Sequence, residues 1–228
     1  MEVILFRQCV YKLLASLFLD PTEERVARIK GLCAHLTNML DMEEISERYR
    51  EALFPFLERI SGAVFDRSLR EEFVALFIAD LERFCAPYEG AHVNGSPEYT
   101  IPLPILLLER EYAREGLLAA RNELPDHVAV ELEFLSYLCG KEITAAQEGG
   151  DRERIAEAQR RFIERHLALW FPSFARMVAQ KTDTLYKEVV RFADTFLRLD
   201  LGDLRNRPDH TRLAPPRLEK ERALPATP

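Results

Sequence analysis

Apolar residues recur at three- and four-residue intervals along most of this chain, the spacing that sets them on one face of a helix. Residues 2–19 place Ile4, Leu5, Val10, Leu13, Leu14 and Leu17 on one broad face. Asp20-Pro21-Thr22-Glu23 then reads as a start signal, with an aspartate cap, a proline at the first helical position and a glutamate two residues on. The helix it opens carries Val26, Ile29, Cys33 and Leu36. Further helical patterns cover about residues 43–60, 66–84, 105–121, 125–142, 151–170 and 182–200. Pro172, inside Trp170-Phe171-Pro172-Ser173-Phe174, predicts a break or kink there. Asn94-Gly95 lacks strand-like flanks, so no hairpin is expected. The pattern predicts an all-α fold, a single helical-bundle-like domain of about eight helices.

Two stretches stand out from this pattern. Residues 85–104 form a 20-residue connection with four prolines and two glycines. Connections of that length are uncommon inside a compact domain and tend to be functional or disordered. Tyr88, His92, Val93, Tyr99 and Ile101 make it too apolar for a solvated linker, and it reads as a structured loop packed against the helices. The second stretch is Glu123-Leu124-Pro125-Asp126-His127, an acid–imidazole pair at the mouth of a helix. Pro125 suits a first turn, and the helix dipole favours the charge of Asp126 there. Val128, Leu132, Leu135 and Cys139 recur at helical spacing, with His127 and Glu131 four apart on a neighbouring stripe. Val128, Val130, Leu132 and Phe134 also alternate as a strand would, but the apolar set continues at helical period through Leu138 and Cys139.

Composition narrows the class. The 228 residues are 47% hydrophobic and 30% charged, a globular profile, and they suffice for one large domain or two small ones. A net charge of −7 argues against nucleic acid, whose binding rests on basic side chains, and allows a cationic partner. From Asp203 onward there are six basic against four acidic residues, five prolines and little apolar periodicity. The expected organisation is therefore a helical domain over residues 1–202 and a disordered tail over 203–228. Cys9, Cys33, Cys85 and Cys139 lie far apart, with no CxxC, as in a reduced cytoplasmic protein. No segment reaches the roughly 18 uninterrupted apolar residues of a membrane helix, and neither export nor membrane insertion is expected.

Enzyme signatures are weak. Glu89-Gly90-Ala91-His92 spells the Glu-x-x-His of di-iron bundles, but that site needs a second copy and further glutamates on helices. No HExxH, GxSxG or Walker loop occurs, and Gly140-Lys141 lacks the upstream glycine of a phosphate loop. No metal or other cofactor is implied. Read residue by residue, Asp126 stabilises its helix start, and His127 with Glu131 is a helix-surface pair worth a few tenths of a kcal/mol. Tyr88 covers core, Trp170 is a core or lid anchor, and Arg160-Arg161 is an exposed internal pair. A helical hydrolase using Asp126 and His127 is the best enzymatic alternative, although no nucleophile pairs with them. A helical adaptor in another assembly is a third class.

Four stretches together resemble the TorD/DmsD/NarJ group of redox-enzyme maturation chaperones. The first is Arg7…Tyr11-Lys12-Leu13-Leu14-Ala15-Ser16-Leu17-Phe18…Pro21. The second is Phe73-Val74-Ala75-Leu76-Phe77 followed by Cys85-Ala86-Pro87-Tyr88-Glu89. The third is Pro125-Asp126-His127…Glu131-Leu132-Glu133-Phe134, and the fourth Phe162…His166-Leu167…Trp170…Pro172…Phe174. They keep the family's order over about residues 7–200; Ala86 and Gly90 depart from its frequent proline and serine. The resemblance implies an all-helical, non-catalytic cytoplasmic protein, monomer or homodimer. Its partner would be the catalytic subunit of a molybdopterin oxidoreductase, bound through an N-terminal twin-arginine leader until the cofactor is loaded. It implies that Tyr88, Glu89, Asp126 and His127 lie near the leader-binding region, and Glu131 and Trp170 complete the candidate leader-peptide-binding set. Arginine recognition wants carboxylates, and the leader's apolar stretch wants a helix-lined groove.

Overall fold

Helix α1 (Glu2–Leu17) is the element around which the others gather, because it is apolar on nearly every side. Phe6, Val10, Tyr11, Leu13 and Leu14 on it are fully buried. The computed structural model describes residues 1–80, 82–93, 103–118 and 123–207. Helices α2 (Glu23–Met39), α3 (Glu47–Ser61) and α4 (Arg67–Phe77) follow α1, then the single turn α5 (Gly90–Val93) and α6 (Leu103–Arg114). The chain continues through α7 (Val128–Glu148), α8 (Arg152–Arg165), α9 (Leu167–Lys181) and α10 (Leu185–Arg205). Helix α1 packs along α7 and against α2, while α10 packs against α9, α3 and α8. Phe18, just past α1, meets Phe77 of α4 and Phe171 and Phe174 of α9 at ring-centroid distances near 6 Å, closing one end of the core.

One guanidinium ties four helices together. Arg7 on α1 donates through Nε and Nη2 to both carboxylate oxygens of Asp200 on α10. Its Nη2 also donates to Gln159 on α8 at 2.6 Å, and Nη1 lies 3.6 Å from Glu142 on α7. The hydroxyls of Tyr11 and Tyr49 donate to the same Asp200. All of Arg7, Asp200, Gln159 and Glu142 are buried, so the charges persist only because they meet one another.

The predicted all-α architecture is what the residues form, and no strand occurs among the described residues. The one β-type pairing there is an isolated antiparallel bridge between Tyr88 and His127. Ten helices are described where about eight were expected, because α5 forms within the 85–104 connection and the 151–170 pattern divides in two. The division falls at His166, and α9 runs straight through Pro172. A proline only six residues into a helix removes one hydrogen bond, to the carbonyl of Ala168, and that loss did not break α9. The cap of α2 is Thr22, whose Oγ1 accepts from the Arg25 amide, and not Asp20. The carboxylate of Asp20 is instead held by Nε and Nη2 of Arg70, each at 2.9 Å. Helix α7 starts at Val128, three residues later than the pattern suggested, and ends on Gly149 in the left-handed conformation, φ +72°. Helix α10 extends past 202 to Arg205, and Asp203 pairs with Arg48 at 2.7 Å. Asn94-Gly95, Tyr99, Ile101 and the tail from Pro208 lie outside the described residues. Among the described residues no helix is long and apolar enough to cross a membrane.

Removing one partner of the Arg7–Asp200 pair strands a buried charge. Asp200→Ala should lose on the order of 3–5 kcal/mol in urea unfolding, whereas the double replacement Arg7→Met/Asp200→Leu should lose much less. A single variant within about 1 kcal/mol of the parent would show that the pair is not the clamp described.

Candidate functional site

The site is built where residues 85–93 lie across the N-terminal end of α7. Cys85 opens this strap by donating its amide to Leu76 O at 2.7 Å. Pro87 O then accepts the Val128 amide and Asp126 O accepts the Glu89 amide, both at 2.9 Å, which is the Tyr88–His127 bridge. The Asp126 carboxylate accepts from the Gly90 amide at 3.1 Å, at the start of α5. Asp126 thus holds the strap with its backbone and its side chain together. At the far end, His92 Nε2 meets Ala86 O at 2.8 Å, and its ring stacks on Trp170 of α9 with centroids 5.4 Å apart.

His127 caps α7. Its Nδ1 accepts the Ala129 amide at 3.1 Å, so the ring is neutral with its proton on Nε2. Burial lowers its pKa, against the pull of Glu123. Tyr88 meets the ring edge-on at 5.0 Å and donates to Glu123 Oε1 at 3.4 Å. Burial, and then Glu123, push the Tyr88 hydroxyl up to about 12. Tyr112 on α6 fixes the turn from beneath by donating to Pro125 O at 2.7 Å.

Under the strap sits Glu131, one turn into α7 and without any exposure. Its Oε2 accepts the Trp170 indole N–H at 3.5 Å, and its Oε1 has no hydrogen-bond partner. Burial first, then the neighbouring carboxylate of Glu89, raise its pKa well above the ordinary value against the Trp170 hydrogen bond, with Asp126 adding to the rise, so the protonated acid is favoured. Glu89 in turn reaches His166 Nδ1 at 2.9 Å, at the junction of α8 and α9. The same three acids, behind burial, raise the pKa of the Tyr112 hydroxyl.

All six residues singled out in the sequence meet at this one place: Tyr88, Glu89, Asp126, His127, Glu131 and Trp170. Their setting differs from a helix surface. Five of them are buried, with Asp126, Glu131 and Trp170 at 0% exposure, while Tyr88 is half-buried. His127 and Glu131 are therefore not an exposed pair, and Asp126 precedes α7 instead of lying in its first turn. Sequence reasoning did not assign His166, Tyr112 or His92 to the site. His166 stood in the fourth motif, yet nothing local shows that it meets a glutamate 77 positions away. Among the described residues no serine, threonine or cysteine side chain bonds to His127. Among the described residues no three His, Cys, Asp or Glu converge as metal ligands would. The strap's surroundings expose apolar side chains: Val93 on α5, Leu106 and Leu107 on α6, and Leu169 beside Trp170. Helix α5 touches both α6 and α9.

Comparison with known proteins matches residues 42–176, more than half of the chain, to the family described as nitrate reductase delta subunit. A selenate reductase assembly chaperone protein from Thauera selenatis is 46% identical over 67 residues, covering 29% of this chain and 34% of that protein. A perchlorate reductase assembly chaperone protein from Dechloromonas aromatica is 34% identical over 142 residues, covering 59% and 62%. The chain thus spans between about a third and three-fifths of the length of these relatives. The chaperone protein TorD of Vibrio cholerae is 27% identical over 205 residues, covering 84% and 88%. The crystal structure of a redox enzyme maturation protein from Archaeoglobus fulgidus, 23% identical, superposes with a TM-score of 0.51 over 87% of this chain and 93% of that one; this likeness concerns the fold. The chain belongs to the nitrate reductase delta subunit family, the NarJ/TorD-type redox-enzyme maturation chaperones, which are chaperones and not catalysts.

His127 at the cap of α7 and Glu131 within it pull stability in opposite directions with pH. His127 has a folded pKa below its ordinary 6.5, so its contribution is present above that value and is lost as pH falls. Glu131 has a folded pKa above its ordinary 4.5, so folding is progressively penalised as pH rises from there. Melting temperature against pH should therefore lose part of its acid-side fall in His127→Asn, which keeps a cap, and part of its fall as pH rises above 4.5 in Glu131→Gln. Unchanged slopes in both variants would contradict the assigned protonation states.

Proposed function

We propose that this member of the maturation-chaperone family assists assembly of a molybdopterin-containing oxidoreductase. It binds the N-terminal twin-arginine leader of the catalytic subunit, or an equivalent segment, in the cytoplasm until the cofactor is in place. The names of the relatives, assembly chaperones for selenate and perchlorate reductases, support a reductase as client. The observation that carries the reading is the convergence of Glu89 on the strap with Asp126 and Glu131 at the start of α7, between elements that expose Val93, Leu106, Leu107 and Leu169. A leader of this class carries two arginines and then an apolar stretch. The carboxyl groups match the arginines' planar forks, and the apolar rim matches the rest. Because the carboxyl groups are covered, the arginines reach them when the strap lifts away from α7. The strap is tied to its surroundings by the Val128, Glu89 and Gly90 amide bonds, the His166–Glu89 and Tyr88–Glu123 contacts, and the ring contacts of Tyr88 with His127 and of His92 with Trp170.

Titration calorimetry with a synthetic twin-arginine leader peptide tests this. Coulomb attraction is screened over about 8 Å at physiological ionic strength, so affinity should fall as salt rises, with an apolar part surviving. Asp126→Asn should weaken binding about tenfold. It should also lower the melting temperature by several degrees, because the same carboxylate holds Gly90. Binding indifferent both to salt and to removal of the peptide's arginines would contradict the proposal.

A further inference from the structure

Glu131 occupies an unusual position. Its side chain is fully buried, its Oε2 takes a long hydrogen bond from Trp170, and its Oε1 has no partner. A buried polar atom left unpaired is disfavoured by roughly 1–3 kcal/mol, and folded chains rarely keep one without a use. The groups that face Glu131 come from every element around it. The strap brings Glu89, the turn before α7 brings Asp126, α6 brings Tyr112 and α9 brings Trp170. His166, at the α8/α9 junction, is bonded to Glu89, and His92 covers the Trp170 ring. Among these described groups only the histidines can carry positive charge, and burial disfavours it on His92. The centre therefore has acceptor oxygens, an aromatic face and, in Glu131, an acid whose protonated form burial favours.

Resting on the reading that a twin-arginine leader is what binds here, we propose that Glu131 is the residue that selects arginine, accepting its guanidinium and releasing a proton as it does so. The balance is simple. The carboxyl proton of Glu131 passes to solvent, and the carboxylate that remains pairs through Oε1 and Oε2 with two guanidinium N–H groups. Trp170, uncovered when His92 leaves with the strap, offers its ring face to the same cation. A planar fork satisfies both oxygens at once, whereas a lysine ammonium is a point charge and satisfies one. The neutral acid makes the empty site tolerable when buried, and the charged acid makes the filled one specific.

The test is calorimetry of the full-length protein with a synthetic peptide of two arginines followed by an apolar stretch, in phosphate and in Tris at pH 7. The two buffers differ in ionisation enthalpy, so the dependence of the observed enthalpy on buffer counts protons. The wild type should release close to one proton per peptide, and its affinity should rise with pH by up to tenfold per unit. Glu131→Gln, which keeps the volume and an acceptor for Trp170, should bind with no proton release and no such pH dependence. A peptide with two lysines should bind the wild type at least tenfold more weakly and release less than half a proton, a comparison that holds even should the Gln variant fail to fold. Tight binding of the arginine peptide without proton release, or equal release in Glu131→Gln, overturns the role of Glu131 and leaves the client reading standing. Absence of any binding overturns the client reading, and this assignment with it.

Discussion

The arrangement of the site depends on Asp126, a residue that belongs to neither of the elements it joins. Its carbonyl takes the Glu89 amide and its carboxylate takes the Gly90 amide, so 36 intervening positions close into one junction. The same junction finishes α7. The first amides of a helix have no partner within it, and here Val128 gives its N–H to Pro87 O while Ala129 gives its N–H to His127 Nδ1. The strap is thus part of the cap of the longest internal helix of the site. Moving it uncaps α7, and α7 is the helix that carries Glu131.

Two buried polar clusters in this fold meet the problem of charge in opposite ways. Around Arg7 the guanidinium is neutralised by Asp200, with Glu142 and Gln159 filling in, and four helices are locked at their crossing. Around Glu131, which has no cation beside it among the described groups, burial favours the protonated, uncharged acid. In the first arrangement the charge is matched, although Arg7 Nη1 makes no hydrogen bond and lies 3.6 Å from Glu142. In the second, Glu131 Oε1 has no hydrogen-bond partner beneath a covering segment whose neighbouring helices expose apolar side chains. A family whose members are chaperones needs both: a frame that does not yield and a patch that does.

The helices were legible in the sequence because their apolar period is strong, and α1 and α10 fall within a few residues of the pattern. Errors gathered where a local signal competed with a distant partner. Asp20 looked like a cap but is taken by Arg70, 50 positions on, leaving the role to Thr22. Pro172 looked like a break, yet a proline near a helix start removes little, and the chain turned instead at His166, where Glu89 binds the ring. At the site, the identity of the residues was legible through four motifs, but their burial was not. His127 and Glu131 read as a surface pair because a helical wheel cannot see the strap that covers them.

The central claim is that residues 85–93 are a detachable cover held on α7 by backbone pairing, and that client binding displaces them. Residue-resolved amide exchange by nuclear magnetic resonance, with and without a twin-arginine peptide, tests it most directly. Without peptide the Glu89, Gly90 and Val128 amides should be protected, since each has a defined acceptor. With saturating peptide these three should exchange markedly faster, while amides in the middle of α1 and α10 stay unchanged or slow. Equal or greater protection of Glu89, Gly90 and Val128 in the peptide-bound protein would contradict the account.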